Sequence, residues 1–148
     1  MARIDYAAIQ TQIKTVLNAD ATLAGVTVEI ERDGLTSPEQ CPWVGIYLER
    51  RQIFRRPIAA VTRMDYKIYF LLWCYEFSME TIEAAASLRD DLIGKVEIAL
   101  MKNTSLNGLV TTLALTDDAG EFESARTEAG FISGGSIRLE AVAKATTA

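Results

Sequence analysis

The chain has 148 residues, about one domain, and 49% of them are hydrophobic, enough for a core that needs neither disulfides nor a metal. With 20 acidic and 15 basic residues the net charge is −5, which argues against nucleic-acid binding by the surface as a whole. There is no histidine, which excludes Ser-His-Asp and Cys-His catalysis and every histidine-based zinc site.

The basic residues are unevenly placed. Arg50, Arg51, Arg55, Arg56 and Arg63 fall within fourteen residues, while 116–128 is acidic. Met1 to Asp5 leads directly into an amphipathic pattern, so no secretory leader is expected. The longest apolar run, 68–75, is far too short to span a bilayer. The sequence Asn103-Thr104-Ser105 matches a glycosylation sequon, a chance match where no leader is expected. Cys41 and Cys74 are far apart and form no CxxC pair. A disulfide between them stays open, but a reducing compartment is the natural reading, with Cys74 a small buried hydrophobe.

Asp5 caps a first helix over 6–18. Its apolar stripe is Ile9, Ile13, Val16 and Leu17, with Gln10, Gln12 and Lys14 on the other side. A connection over 18–25 follows. The alternating segment 26–31 (VTVEIE) is a short strand half-buried on Val26, Val28 and Ile30. Asp33-Gly34, Ser37-Pro38 and Cys41-Pro42 mark a loop over 32–42. A second strand over 43–51 (WVGIYLERR) sets Val44, Ile46 and Leu48 on one face, and Trp43, Tyr47 and Glu49 on the other. Residues 52–63 contain Pro57 and an alanine-rich patch. They read as the tip of a long β-hairpin, with 50–63 its mobile end.

The third strand, 64–76 (MDYKIYFLLWCYE), is the most informative stretch. Tyr66, Ile68, Phe70, Leu72 and Cys74 face one way; Lys67, Tyr69, Leu71, Trp73 and Tyr75 face the other. Bulky residues on both faces must be covered on both faces, and a short chain has few elements to do it, so a partner is expected to cover part. Ser78 caps a second helix reaching Lys102, with Glu80 near its positive end. Ile82, Ala85, Ala86, Leu92, Val96, Ala99 and Leu100 form its buried stripe, flanked by Leu88; Arg89, Asp90 and Lys95 are solvated. A turn over 103–108 ends it. Residues 109–116 (LVTTLALT) make a fourth strand, 117–120 a turn, 121–130 a polar loop and 136–144 (SIRLEAVAK) a fifth strand. The order α-β-β-β-α-β-β predicts an α+β fold: one domain over 1–148, a mostly antiparallel five-strand sheet with two helices packed on one face.

The glycine-rich patch 130–136 (GFISGGS) has neither the P-loop lysine nor dinucleotide spacing and reads as a flexible turn into the last strand. Asp117, Asp118, Glu121 and Glu123 lack the calcium-loop pattern and read as a solvated loop. No catalytic, cofactor or metal site is expected, and the chain is not expected to be an enzyme. Arg50, Arg51, Arg55 and Arg56 flank Ile53-Phe54. A solvated hairpin tip explains them blandly. An interface explains them more sharply, because arginine and aromatic residues are enriched at protein contacts. Guanidinium forks would pair with carboxylates of a neighbouring subunit, with Asp117, Asp118, Glu121 and Glu123 the candidates and Phe54 the aromatic anchor. A DNA-facing role for the arginines stays open, with the negative net charge against it. Trp43 and Tyr47 share a face, so an aromatic patch is expected there, exposed unless a partner covers it.

Several phrases in order carry a resemblance. They are the amphipathic first helix, the Cys41-Pro42-Trp43-Val44 entry to a strand, the charged hairpin 49–63 and the strand phrase Tyr66-Lys67-Ile68-Tyr69-Phe70. The helix end Leu100…Thr104-Ser105-Leu106-Asn107-Gly108-Leu109-Val110 completes the set. The chain resembles the tail terminator, or tail completion, proteins of tailed bacteriophages, the group that includes the lambda-like terminators. That resemblance implies a virion protein of the tail or neck, forming a hexameric ring on the tail tube. The ring ends tube polymerisation and offers the surface that joins the head. Its implied partners are further copies of itself, the tail tube protein and neck or connector proteins. Genomic DNA passes through without sequence-specific binding; neither membrane nor cofactor is implied. Two alternatives stand beside it: another neck or head-completion component, and a small monomeric ligand-binding module using the aromatic sheet face.

Overall fold

The structure, a computed structural model, describes residues 4–32, 37–55, 63–116 and 120–146, the side chains of Phe54, Arg55, Arg63 and Thr146 excepted. The elements are α1 (Tyr6–Ala19), β1 (Thr27–Ile30), β2 (Trp43–Arg55), β3 (Arg63–Ser78), α2 (Ile82–Met101), β4 (Thr112–Leu115), β5 (Phe122–Arg126) and β6 (Phe131–Thr146). The sheet order is β1-β2-β3-β6-β4, with β5 beside β4 on the same side of β6. Every pairing is antiparallel except β1 with β2, which is parallel. Both helices pack on one face, touching each other as well as the sheet.

Alternation along β3 explains the core. Ile68, Phe70, Leu72 and Cys74 are fully buried and stand in the same rows as Leu48, Ile46 and Val44 of β2 and Ala141, Leu139 and Ile137 of β6. Ile9, Ile13 and Leu17 of α1 and Leu92, Val96 and Leu100 of α2 close over this surface. Asp5 caps α1 as expected, its Oδ1 accepting the Ala8 N–H at 3.0 Å.

The α+β class stands, but among the described residues the sheet has six strands where the sequence pattern gives five. The extra one, β5, lies in the segment read as polar loop. All five of its residues are exposed, so no apolar alternation marks it; backbone pairing to β6 alone makes it a strand. The patch read as a flexible turn is the first third of β6. Tyr75 lies against the Cα of Gly134, and Ile93 and Phe122 close on Gly135, so neither position has room for a Cβ. Glycine marks close approach here, not a turn. Within the expected mobile tip, Gln52 and Ile53 are strand and residues 56–62 lie outside the described residues.

The second helix starts later than expected. β3 continues to Ser78, whose Oγ accepts only the Glu80 N–H at 3.1 Å, and Thr81 caps the helix instead, its Oγ1 accepting from Ala84 at 3.0 Å. That shift leaves Ile82 44% exposed, outside the buried stripe where the sequence placed it. Leu106 and Asn107 take positive φ before Gly108, and this turn delays β4 to Thr112. Gln10, expected in solvent, is buried, its Nε2 donating to Glu31 Oε1 at 2.7 Å.

Cys74 is fully buried and Cys41 half-buried, both as free thiols. Burial, with the nearby charge of Glu97, pushes the Cys74 thiol far above its ordinary range; burial and Glu76 push Cys41 to about 12. Native protein at pH 8 should therefore label slowly with a thiol reagent at Cys41 and far more slowly at Cys74, whereas guanidinium should release both at once. Rapid native labelling of Cys74 would refute its place in the core.

Candidate interaction surface

The face of the sheet turned away from the helices carries Trp43, Tyr47, Tyr69, Leu71, Trp73 and Tyr75. Trp43 is fully buried even so. Its ring lies against Gly45, which leaves no room for a Cβ, and it packs at 5.7 Å against Tyr75. Of the expected aromatic patch, Trp43 is core without a partner, covered by the glycine beneath and the tyrosine beside it, and Tyr47 is left half-exposed. Tyr75 stacks in turn on Trp73 at 5.9 Å with the planes 18° apart. Tyr47, Leu71, Trp73 and Tyr75 remain half-exposed. With Arg32, Leu48 and Glu49 they line an open cavity of about 490 Å³.

Charged residues rim this face. Arg138 Nε donates to Glu49 Oε2 at 2.9 Å, a cross-sheet pair that sequence spacing does not reveal. Arg50 lies with its guanidinium 4.5 Å over the Tyr69 ring and 4.0 Å from Glu49. Arg51 points to the opposite, helix-bearing face, 5.3 Å over Tyr66. Adjacent strand residues alternate, so the two arginines clasp the sheet from both sides. Both guanidinium groups gain from the ring quadrupole, by roughly 0.5–1 kcal/mol at exposed sites.

Glu123 and Glu121 sit at the other end of the molecule. β5 faces residues 131–135 of β6, whereas Arg50 and Arg51 are opposite Tyr69 and Ile68. The candidate acidic and basic residues therefore do not meet within one chain; they occupy opposite edges of one sheet. Glu123 accepts the Tyr75 hydroxyl at 2.5 Å; Glu121 is exposed and its backbone N–H donates to Ser136 Oγ at 2.9 Å. Arg56, Asp117 and Asp118 lie outside the described residues, as do the side chains of Phe54 and Arg55. Arg89, expected in solvent, is largely covered. It lies 4.7 Å over Phe122, donates to Ser133 Oγ at 2.9 Å and pairs with Asp90 at 2.9 Å. Among the described residues no group of three Cys, Asp or Glu converges to hold a metal ion.

Burial raises the Tyr75 phenol above its ordinary value, and the hydrogen bond to Glu123 with that group's negative charge raises it further. The folded state therefore holds the neutral phenol more tightly than the unfolded chain does. The stability this confers is present below the ordinary tyrosine pKa and falls as pH rises past it. Replacing Glu123 with Gln should lower the Tyr75 pKa part of the way back, read as earlier tyrosinate absorbance in an alkaline titration. An unchanged curve would place the whole shift in burial.

No protein-family model matches the chain, and no curated protein matches it. Among solved structures it is similar to a chain of the virion of a native gene transfer agent particle, at 10% identity and a TM-score of 0.43, covering 95% of this chain and 99% of that one. Likeness at that level gives no residue here a role.

Proposed function

We propose that this chain is a structural protein of a tailed-phage-like virion, acting as a tail terminator. Several copies form a ring on the end of the tail tube, stop its polymerisation and present the surface to which the head joins. The observation that carries the reading is the sheet itself. One face is closed by helices; the other holds half-exposed aromatic residues, and the stretch of β2 beyond β1 carries Arg50 and Arg51 while the opposite edge carries Glu121 and Glu123. A subunit with two different complementary edges associates head to tail, the arrangement that closes into rings. The ordered sequence phrases shared with tail terminators supply the rest. The work such a protein does is binding, through surfaces of named chemistry, with the open face and the β2–β3 hairpin as its contact regions.

A second reading rests on the aromatic cavity of about 490 Å³. Its size suits a small planar ligand, which would make the chain a monomeric binding module.

Light scattering of the purified chain across concentration, with electron microscopy of the same fractions, separates the two. The terminator reading predicts annular particles of about six chains. Their addition to polymerising tube subunits should give shorter tubes with closed ends. A strict monomer that leaves tube growth untouched, yet gains thermal stability from a planar ligand, would replace it with the second reading.

A further inference from the structure

Among the described residues, β2 is covered on its outer side by a strand only where β1 runs, beside Trp43 to Ile46. Just beyond, Glu31 Oε1 accepts the Leu48 N–H at 2.6 Å and ends that coverage. Past this point the ladder fixes which backbone groups are free. Arg50 and Gln52 pair with Tyr69 and Lys67 of β3. The alternation of antiparallel hydrogen bonding then turns the N–H and C=O of Arg51 and Ile53 outward. Among the described residues no strand receives them.

The opposite edge of the sheet has its own free groups. The Glu121 C=O accepts from Ser136 N–H at 2.9 Å, so Glu123 and Ala125 also face β6. Phe122, Ser124 and Arg126 therefore turn their backbone groups outward. β6 runs parallel to β2, since both are antiparallel to β3, and β5 opposes β6. A second copy held with its strands in the same sense thus offers β5 antiparallel to β2.

The rows of the sheet decide how far that copy is displaced. Leu113, Ala141, Ile68 and Arg51 share one row; Phe122, Gly135, Cys74, Val44 and Val28 share another. A copy set level would bring β4 to the free edge of β2 but drive β5 into β1. A copy stepped along the strands clears β1 and lays β5 on the free edge. A constant step between neighbours is what closing a sheet requires, because closure tilts the strands. With Ser124 opposite Arg51, Glu123 stands opposite Gln52 and diagonal to Arg50, all on the open face. A diagonal pair on one face is within reach of long side chains. Arg50 is 61% exposed and Glu123 is exposed, so the charges are available to each other.

We propose that β5 of one copy adds as an antiparallel strand to the free Arg50–Ile53 edge of β2 in the next, with Glu123 meeting Arg50. This rests on the ring reading and names its subunit contact. In one copy, Arg51 and Ser124 are three strands apart, about 14 Å across the sheet before any offset along it. A disulfide needs Cα atoms within about 7 Å, so a bond between these positions forms only between copies.

The test uses the full chain with Cys41→Ser, carrying Arg51→Cys and Ser124→Cys together or singly, so that Arg50 and Glu123 are kept, oxidised mildly while the unmodified chain is sized by light scattering. The expected result is a ladder of covalent multimers from the double variant, ending at the ring size, with dimers at most from either single variant. Assembly of the unmodified chain without that ladder overturns the strand contact and leaves the ring standing. A monomeric unmodified chain with no ladder overturns both. Charge exchange gives a second measure: Arg50→Glu and Glu123→Arg should each lose assembly, and the double exchange should regain it. No recovery in the double exchange counts against the Arg50–Glu123 meeting.

Discussion

The ladder between β3 and β6, sixteen residues from each strand in unbroken register, is the constraint on which the rest depends. Its length ties the hairpin end of the molecule to the end where β5 lies. A shift of one residue would turn every core side chain of β3 to the open face. The fully buried row of Ile68, Phe70, Leu72 and Cys74 opposes such a slip at four positions at once. With that register held, the helices find one apolar surface and the aromatic residues are left to the other.

This division also explains the interaction surface. A sheet covered on one side by its own helices has three places for another molecule: the bare face and two edges. The bare face is partly self-sealed, because Trp43, Tyr75 and Trp73 lie over one another and over glycines, not upright in solvent. What remains open is the shallower ground around Tyr47 and Leu71, rimmed by the Glu49–Arg138 pair. Arg50 and Arg51 stand at the β2 edge and Glu121 and Glu123 on and beside β5, and that separation gives the subunit a direction.

Much of this is legible in the sequence where side chains alternate. The two faces of β3, the apolar stripe of α1 and the inward Val44 and Ile46 of β2 follow from spacing, because burial there selects apolar residues at fixed intervals; Leu48, expected inward with them, is 37% exposed beside the β2 bulge. Two kinds of feature hide. β5 has no buried side chain and owes its existence to backbone pairing, which leaves no mark on Phe122–Arg126. The start of β6 reads as punctuation because its inward positions are filled by residues from elsewhere: Tyr75 occupies the space above Gly134, and Ile93 and Phe122 that beside Gly135. The cap of α2 is misplaced at Ser78 for a different reason. Serine is a competent cap by type, but β3 continues to Ser78, and Thr81 takes the capping position. For the candidate site, the sequence separates the acidic and basic segments correctly but does not say that they sit at opposite edges; that comes from the position of β5 along β6.

The adjacent glycines of β6 have a consequence for how this sequence can vary. At Gly134 a tyrosine approaches from one side of the sheet; at Gly135 an isoleucine and a phenylalanine approach from the other. The strand is bare backbone at the point where both sides press closest, so its neighbours have grown into the space that two side chains would have taken. A substitution at either glycine must be answered by a smaller residue at Tyr75, or at Ile93 and Phe122. Drift at these positions is therefore expected to be paired across strands and helix, visible as covariation between residues far apart in the chain.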